Sequence, residues 1–104
     1  MKIKIYLSQT DYNGFGGYFS YLLPNDNCYI VTKNDPKEFF DIMNNFDSDF
    51  YDKILTMQVI PTSSLSSFGL FTVIYDSPKL TEECCLYLIL KNFIDENQIV
   101  KDDI

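Results

Sequence analysis

Apolar Ile3, Ile5 and Leu7 alternate with Lys2, Lys4 and Tyr6 at the start of the chain. A period of two puts these sets on opposite faces of an extended backbone, so the pattern predicts a half-buried strand over Met1–Ser8. Between Gln9 and Gly17 stand Asp11, Asn13, Gly14, Gly16 and Gly17, residue types that accept turn conformations, and the chain must bend there. Tyr18–Leu23 reads as a second strand, Pro24–Asn27 as a turn and Cys28–Thr32 as a third short strand, together an antiparallel meander.

The period changes at Asp35. Asp35 as N-cap, Pro36 at N1 and Glu38 at N3 form a variant of the capping box, with both acids at the positive end of the helix dipole. Phe39, Ile42, Met43 and Phe46 follow at i, i+3, i+4 and i+7, which predicts a helix over Pro36–Phe46 with one core-facing stripe. Lys53–Ile60 is β-rich and ends at Pro61, Thr62–Ser67 is a Ser-rich loop, and Phe68–Tyr75 is β-rich again, so the pattern predicts a hairpin of two further strands. Ser77 and Pro78 repeat the cap pairing and predict a second helix over about Pro78–Phe93. The seven apolar residues Cys84–Leu90 inside it also fit a buried strand, and length together with Lys91-Asn92 at the end favours helix. From Asp95 onward polar residues dominate. The expectation is an α+β fold with an antiparallel five-stranded sheet and two helices, in the order β-β-β-α-β-β-α: a single domain over residues 1–94 and an acidic C-terminal tail over 95–104.

Composition narrows the chemistry. The 104 residues are enough for one hydrophobic core, and 46% apolar content, with nine Phe and eight Tyr, supplies it without a metal or disulfide. There is no His, Arg, Trp or Ala. Without His the usual general base near neutral pH, the Ser-His and Cys-His pairs and most zinc sites are excluded; without Arg the bidentate grip on phosphate is too. The three cysteines, Cys28, Cys84 and Cys85, are an odd number with no signal-peptide pattern, which predicts thiols in a reducing cytoplasm. Asn13-Gly14-Phe15-Gly16-Gly17 lacks the third glycine and the following helix of a phosphate loop, and reads as a tight turn. Asp47, Asp49 and Asp52 resemble the opening of a calcium loop, but the glycine and terminal Glu at the required offsets are missing. No catalytic residue, metal ligand or cofactor is assigned, and the expectation is a protein that breaks no bond.

Charge is distributed unevenly. The net charge is −7, which disfavours direct binding to nucleic acid or to an anionic membrane and favours a basic partner. Residues 35–52 hold six acids against one Lys, and residues 80–104 hold six against two. In the first cluster Asp35, Glu38, Asp41, Asp47, Asp49 and Asp52 interleave with aromatics, of which Phe50 and Tyr51 exceed what one core stripe needs. Carboxylates along a rigid element imitate a row of phosphates, with apolar side chains adding contact area. These eight residues are the candidate partner-binding set. Acidic surface is also an ordinary solubility device, so a merely solvated face is the competing explanation.

A resemblance runs the same way. Ile5-Tyr6-Leu7, Tyr12-Asn13-Gly14 and Gly17-Tyr18-Phe19 resemble the start of ArdA-type antirestriction proteins, with Tyr18 where that family has Trp. The resemblance implies a DNA mimic acting through acidic side chains on type I restriction enzymes, although the family's acids do not align position by position with these. Charge and resemblance together lead to the expectation of a small inhibitor, encoded by a phage or mobile element, that occupies the basic groove of a nuclease or other nucleic-acid-binding protein in bacterial defence, of restriction or CRISPR type, in the host cytoplasm. The alternative is a non-enzymatic assembly module that buries the apolar 84–90 segment in a homodimer or partner interface; a small enzyme built on Asp, Glu, Lys, Tyr or Cys is the third reading and requires a pocket.

Overall fold

The alternation at the start of the chain becomes the centre of a sheet. In this computed structural model, which describes residues 1–12, 15–24, 27–57, 60–61 and 69–101, β1 (Lys2–Ser8) buries Ile3, Ile5 and Leu7 on one face and turns Lys2, Lys4 and Tyr6 to the other. It is joined by β2 (Phe19–Leu22), β3 (Tyr29–Thr32), β4 (Ile60–Pro61), β5 (Leu70–Asp76) and the two-residue β6 (Ile99–Val100). The strand order is β2-β3-β1-β5-β4, every pairing antiparallel. All seven residues of β1 pair with β5, from Lys2 opposite Asp76 to Ser8 opposite Leu70. The other edge of β1 is shared: β3 takes Tyr6–Ser8, and β6 takes Lys2 and Ile3.

The fold is α+β with an antiparallel sheet, as the patterning predicts, and four details differ. First, β3 and not β2 lies beside β1, so the first three strands are not a simple meander. β2 exposes Phe19 and Leu22 and has little side chain to bury, which suits an edge and not a centre. Second, the described residues contain three α-helices, because Lys53–Thr56, the start of the expected fourth strand, are helical: α1 (Pro36–Phe46) is followed by α2 (Phe50–Thr56). Phe50 and Ile54, one helical turn apart, are both fully buried, and packing of that stripe under β5 overrides the β-propensity of the segment. Ile60 and Pro61 are strand, paired with Thr72 and Phe71; residues 58–59 and the Ser-rich loop lie outside the described residues.

Third, α3 (Glu82–Leu90) is shorter than the expected helix. Ser77 is buried and caps a turn instead, its Oγ accepting from Lys79 N at 3.1 Å, and Thr81 is the N-cap, accepting from Cys84 N at 3.2 Å. The end is a Schellman motif: Asn92 has φ 61°, its N–H donates to Ile89 O, and Phe93 N–H donates to Leu88 O, both at 2.9 Å. The side chains of Phe93 and Leu88 are both buried in the core. Fourth, residues 95–101 belong to the fold. Asp95 and Gln98 form a capping box, Gln98 Nε2 donates to Lys4 O at 3.0 Å, Lys33 pairs with Asp95 at 2.7 Å, and β6 then extends the sheet. The free half-edge of β1 is what recruits this polar segment; residues 102–104 lie outside the described set.

The core lies between the sheet and the helices, and joins Ile3, Ile5, Ile30, Val73 and Tyr75 to Phe39, Met43, Phe50, Ile54, Cys85 and Leu88. A smaller cluster of Tyr12, Val31 and Leu70, with Tyr6 and Tyr18 against it, closes part of the opposite face. The chain reaches Tyr18 through Gly16 and Gly17 at φ 61° and 81°, values only glycine takes at low cost. No helix among the described residues is long and apolar enough to cross a membrane. If residues 95–101 are structural, a chain ending at Ile94 is expected to lose roughly 2–3 kcal/mol in a denaturant titration, about 1 kcal/mol for each hydrogen bond removed; an unchanged midpoint would restore the tail interpretation.

Candidate functional site

Helix α1 starts where its sequence says it should. Asp35 Oδ1 accepts from Lys37 N at 3.1 Å and Glu38 N at 3.4 Å, and Pro36 occupies the first turn, where its missing N–H costs nothing. Asn34 fixes this corner by donating from Nδ2 to Lys91 O, at the end of α3. With Phe39 and Met43 buried, the period of 3.6 turns Glu38, Asp41 and Asn45 to solvent. Lys37 reaches Asp41 at 3.2 Å, with both side chains more than half exposed. With the cation N-terminal to the acid and both in water, this pair neutralises the face only weakly.

Asp47 ends α1 and is fully buried. Its Oδ2 accepts from the Tyr75 hydroxyl, in a very short hydrogen bond, and from Lys53 Nζ at 2.9 Å; its Oδ1 accepts from Asp49 N at 3.1 Å and lies 3.9 Å from Lys79 Nζ. Its backbone takes part as well, since Asp47 N donates to Met43 O and Phe50 N donates to Asp47 O, both at 3.0 Å. One residue thus closes α1, opens α2 and ties both to β5. Burial alone would raise the carboxyl pKa. The Tyr75 and Lys53 hydrogen bonds, the Asp49 N–H and the Lys53 charge outweigh it and hold the group well below the usual carboxylate range. Tyr75 moves the other way, its hydroxyl raised far above the ordinary phenol value by burial and by donation to Asp47.

The candidate set therefore divides. Asp35, Glu38, Asp41, Asp49 and Asp52 are exposed; Asp47 and Phe50 are not surface groups and leave the set. A carboxylate run gives no sign in sequence of which member meets tertiary donors, and Asp47 is indistinguishable there from its exposed neighbours. Phe50 is enclosed by Tyr75, Phe39 and Phe40, with ring centroids 5.1, 6.2 and 6.2 Å away. Tyr51 is half-buried, lies against Phe40 and donates its hydroxyl to Pro24 O. Phe40, Phe50 and Tyr51 form an internal cluster under the acidic face.

Among the described residues Glu38, Asp49 and Asp52 make no ion pair, and no group of three or more His, Cys, Asp or Glu side chains converges as a metal site. Asp47, Asp49 and Asp52 do not gather: the first points into the protein and the other two outward. One feature escaped the sequence reading: Lys53, Lys79 and Tyr75 are the partners of Asp47. In the apolar 84–90 segment, which the sequence offers as an alternative interface, Leu86, Tyr87 and Leu90 are exposed. The apolar run was readable as buried, but only its period against the sheet decides which members are.

No protein-family model, curated protein or solved structure matches this chain.

The Asp47 geometry fixes a pH dependence. Its pKa is lower folded than unfolded, so its contribution to stability is complete above the unfolded value and is lost as pH falls through about 4 toward the folded value. The stability gap between the protein and Asp47→Asn, read from denaturant titrations, is expected to be largest near neutral pH and to narrow below about pH 4. A gap independent of pH would mean that the carboxylate charge is not what the donors stabilise.

Proposed function

We propose that this chain is a non-catalytic binding protein that presents the exposed carboxylates of α1 and α2 to the basic groove of a nucleic-acid-binding protein, of the kind found in bacterial defence nucleases. The observation that carries this reading is the anchoring of those carboxylates. Asp35, Glu38 and Asp41 stand on α1, Asp49 and Asp52 on the start of α2, and the buried Asp47 fixes one helix against the other. Charges held on a fixed frame lose little freedom on binding and can align with a row of cations that normally grips phosphates. The excess is real at the surface: removing Asp47, which Lys53 satisfies internally, leaves five exposed acids against Lys37 over residues 35–52. The opening resemblance to ArdA-type proteins supports the same class of activity.

On this reading binding is dominated by charge and is weakened by salt, since ions screen exposed charges over about 8 Å at physiological ionic strength. The test combines Glu38→Gln, Asp41→Asn, Asp49→Asn and Asp52→Asn, leaving Asp35 as the cap of α1. Pull-down from a lysate containing candidate defence nucleases, eluted along a salt gradient and competed with duplex DNA, is expected to recover a basic nuclease that DNA displaces. The quadruple variant is expected to bind it at least about 10-fold more weakly, the loss of roughly 1.4 kcal/mol or more. Undiminished binding by the quadruple variant would remove this face from the interaction.

A further inference from the structure

The deep anchoring of the chain stops at Ile94. Phe93 and Ile94 are buried, and Phe93 N–H donates to Leu88 O at 2.9 Å. Within residues 95–101 Gln98 alone is buried; Asp95, Ile99 and Val100 are half-buried, and Glu96, Asn97 and Lys101 are exposed. Few contacts fasten this segment to the rest: Lys33 to Asp95, Gln98 Nε2 to Lys4 O, the pairing of Ile99 and Val100 with Ile3 and Lys2, and the side chain of Ile99 against the core. Its other hydrogen bonds are internal. Asp95 N–H donates to Gln98 Oε1 and Gln98 N–H to Asp95 O, both at 2.9 Å, and Ile99 N–H donates to Glu96 O. These shape the segment and do not hold it down.

Packing on its two sides is equally thin. A groove of about 650 Å³ has Ile99 and Val100 on one wall and Cys85, Leu86 and Ile89 on the other, and a second of about 920 Å³ runs along Lys4, Asp95, Asn97 and Lys101. Cys85 is fully buried, and loss of the Ile99–Val100 wall would open the groove beside it. Ordering seven residues costs conformational entropy. Against that cost stand one buried polar side chain, two half-buried apolar ones and a partly exposed ion pair that contributes little in water. Segments with few buried apolar contacts open below the free energy of global unfolding, in contiguous units. We infer that residues 95–101 are a strap that opens as a unit while the rest of the fold stays closed, freeing the Lys2–Ile3 edge of β1 and the groove beside Cys85. When closed, the strap masks backbone groups of β1 that could otherwise pair with an extended segment. This inference does not depend on the function proposed for the carboxylate face.

Native-state hydrogen exchange of the intact chain tests it. The Gln98 and Ile99 amides are expected to share one protection of about 30- to 150-fold, the equivalent of two to three net hydrogen bonds. The Phe93 amide is expected to exchange only through global unfolding, protected several thousand-fold or more, roughly the lower bound for a folded domain. Gln98→Ala removes the bonds to Lys4 O and Asp95 N–H, and is expected to lower the protection of Ile99 at least about 5-fold while Phe93 keeps its own. With Cys28→Ser and Cys84→Ser in place, Cys85 is expected to react with a small aromatic disulfide at a rate set by the same opening, and Gln98→Ala is expected to raise that rate by the same factor as it lowers the protection of Ile99. Protection of Gln98 and Ile99 equal to that of Phe93 would overturn the inference by joining 95–101 to the global unit, and exchange at the free-chain rate would overturn it by removing the closed state. Loss of protection at Phe93 and Ile99 alike in Gln98→Ala would count the same way. Labelling of Cys85 that follows Phe93 instead of Ile99 would refute the part that concerns Cys85.

Discussion

A carboxylate with no access to water must find its donors inside the protein, and Asp47 finds them on three different parts of the chain. Moving such an ion out of water costs several kcal/mol, and the cost is offset only where donors fill its lone pairs. Here the Tyr75 hydroxyl comes from the central sheet, the Lys53 ammonium from α2 and an N–H from the loop between the helices. Each is worth about 1.5–3 kcal/mol to a charged acceptor, so together they can meet the cost. Their more important effect is geometric. Because the donors are fixed in different elements, the carboxylate is satisfied only when α1, α2 and β5 stand in one arrangement, and the aromatic packing of Phe50 on Tyr75 closes over the same point.

The sheet supplies the frame that makes this possible. β1 is bonded along its whole length to β5 and on its other edge first to β6 and then to β3. Tyr75 lies opposite Ile3 in that register, at the place where β6 also joins. The end of the chain and the Asp47 network therefore converge on the same stretch of β1. Gln98 and Asp95 hold the final segment through Lys4 O and Lys33, which links residues far apart in sequence to one strand. The polar side chains of Asp95 and Gln98 are not a sign of disorder in this setting, since the first has an ionic partner in Lys33 and the second backbone partners in Lys4 and Asp95.

What the sequence made legible was local. The alternation of Ile3, Ile5 and Leu7 and the Asp35-Pro36-Glu38 cap specify their elements without help from the rest of the chain, and both are found where the pattern puts them. Lys53–Ile60 fails for the opposite reason: its β-branched residues favour a strand locally, but Phe50 and Ile54 gain more by sharing one helical face beneath β5. The Ser77-Pro78 pair makes a sound cap signal and is used for a turn, because Thr81 offers a second cap closer to the apolar run. At the site, five of six carboxylates are exposed and the sixth is the structural centre. Spacing along the chain could not single out Asp47, because Tyr75 is 28 residues away and only the fold brings it near.

The two unpartnered faces differ in the physics they use, and α1 links them. On α1, Ile42 and Phe46 line the groove beside α3, while Glu38 and Asp41 carry the charge. Charge on the α1–α2 side acts at range and fades with salt; apolar area on α3 acts only in contact and does not. A net charge of −7 opposes the approach of two copies. The buried Asp47 is the common condition for both, because it sets the position of α1, from which one face is displayed and against which the other is packed.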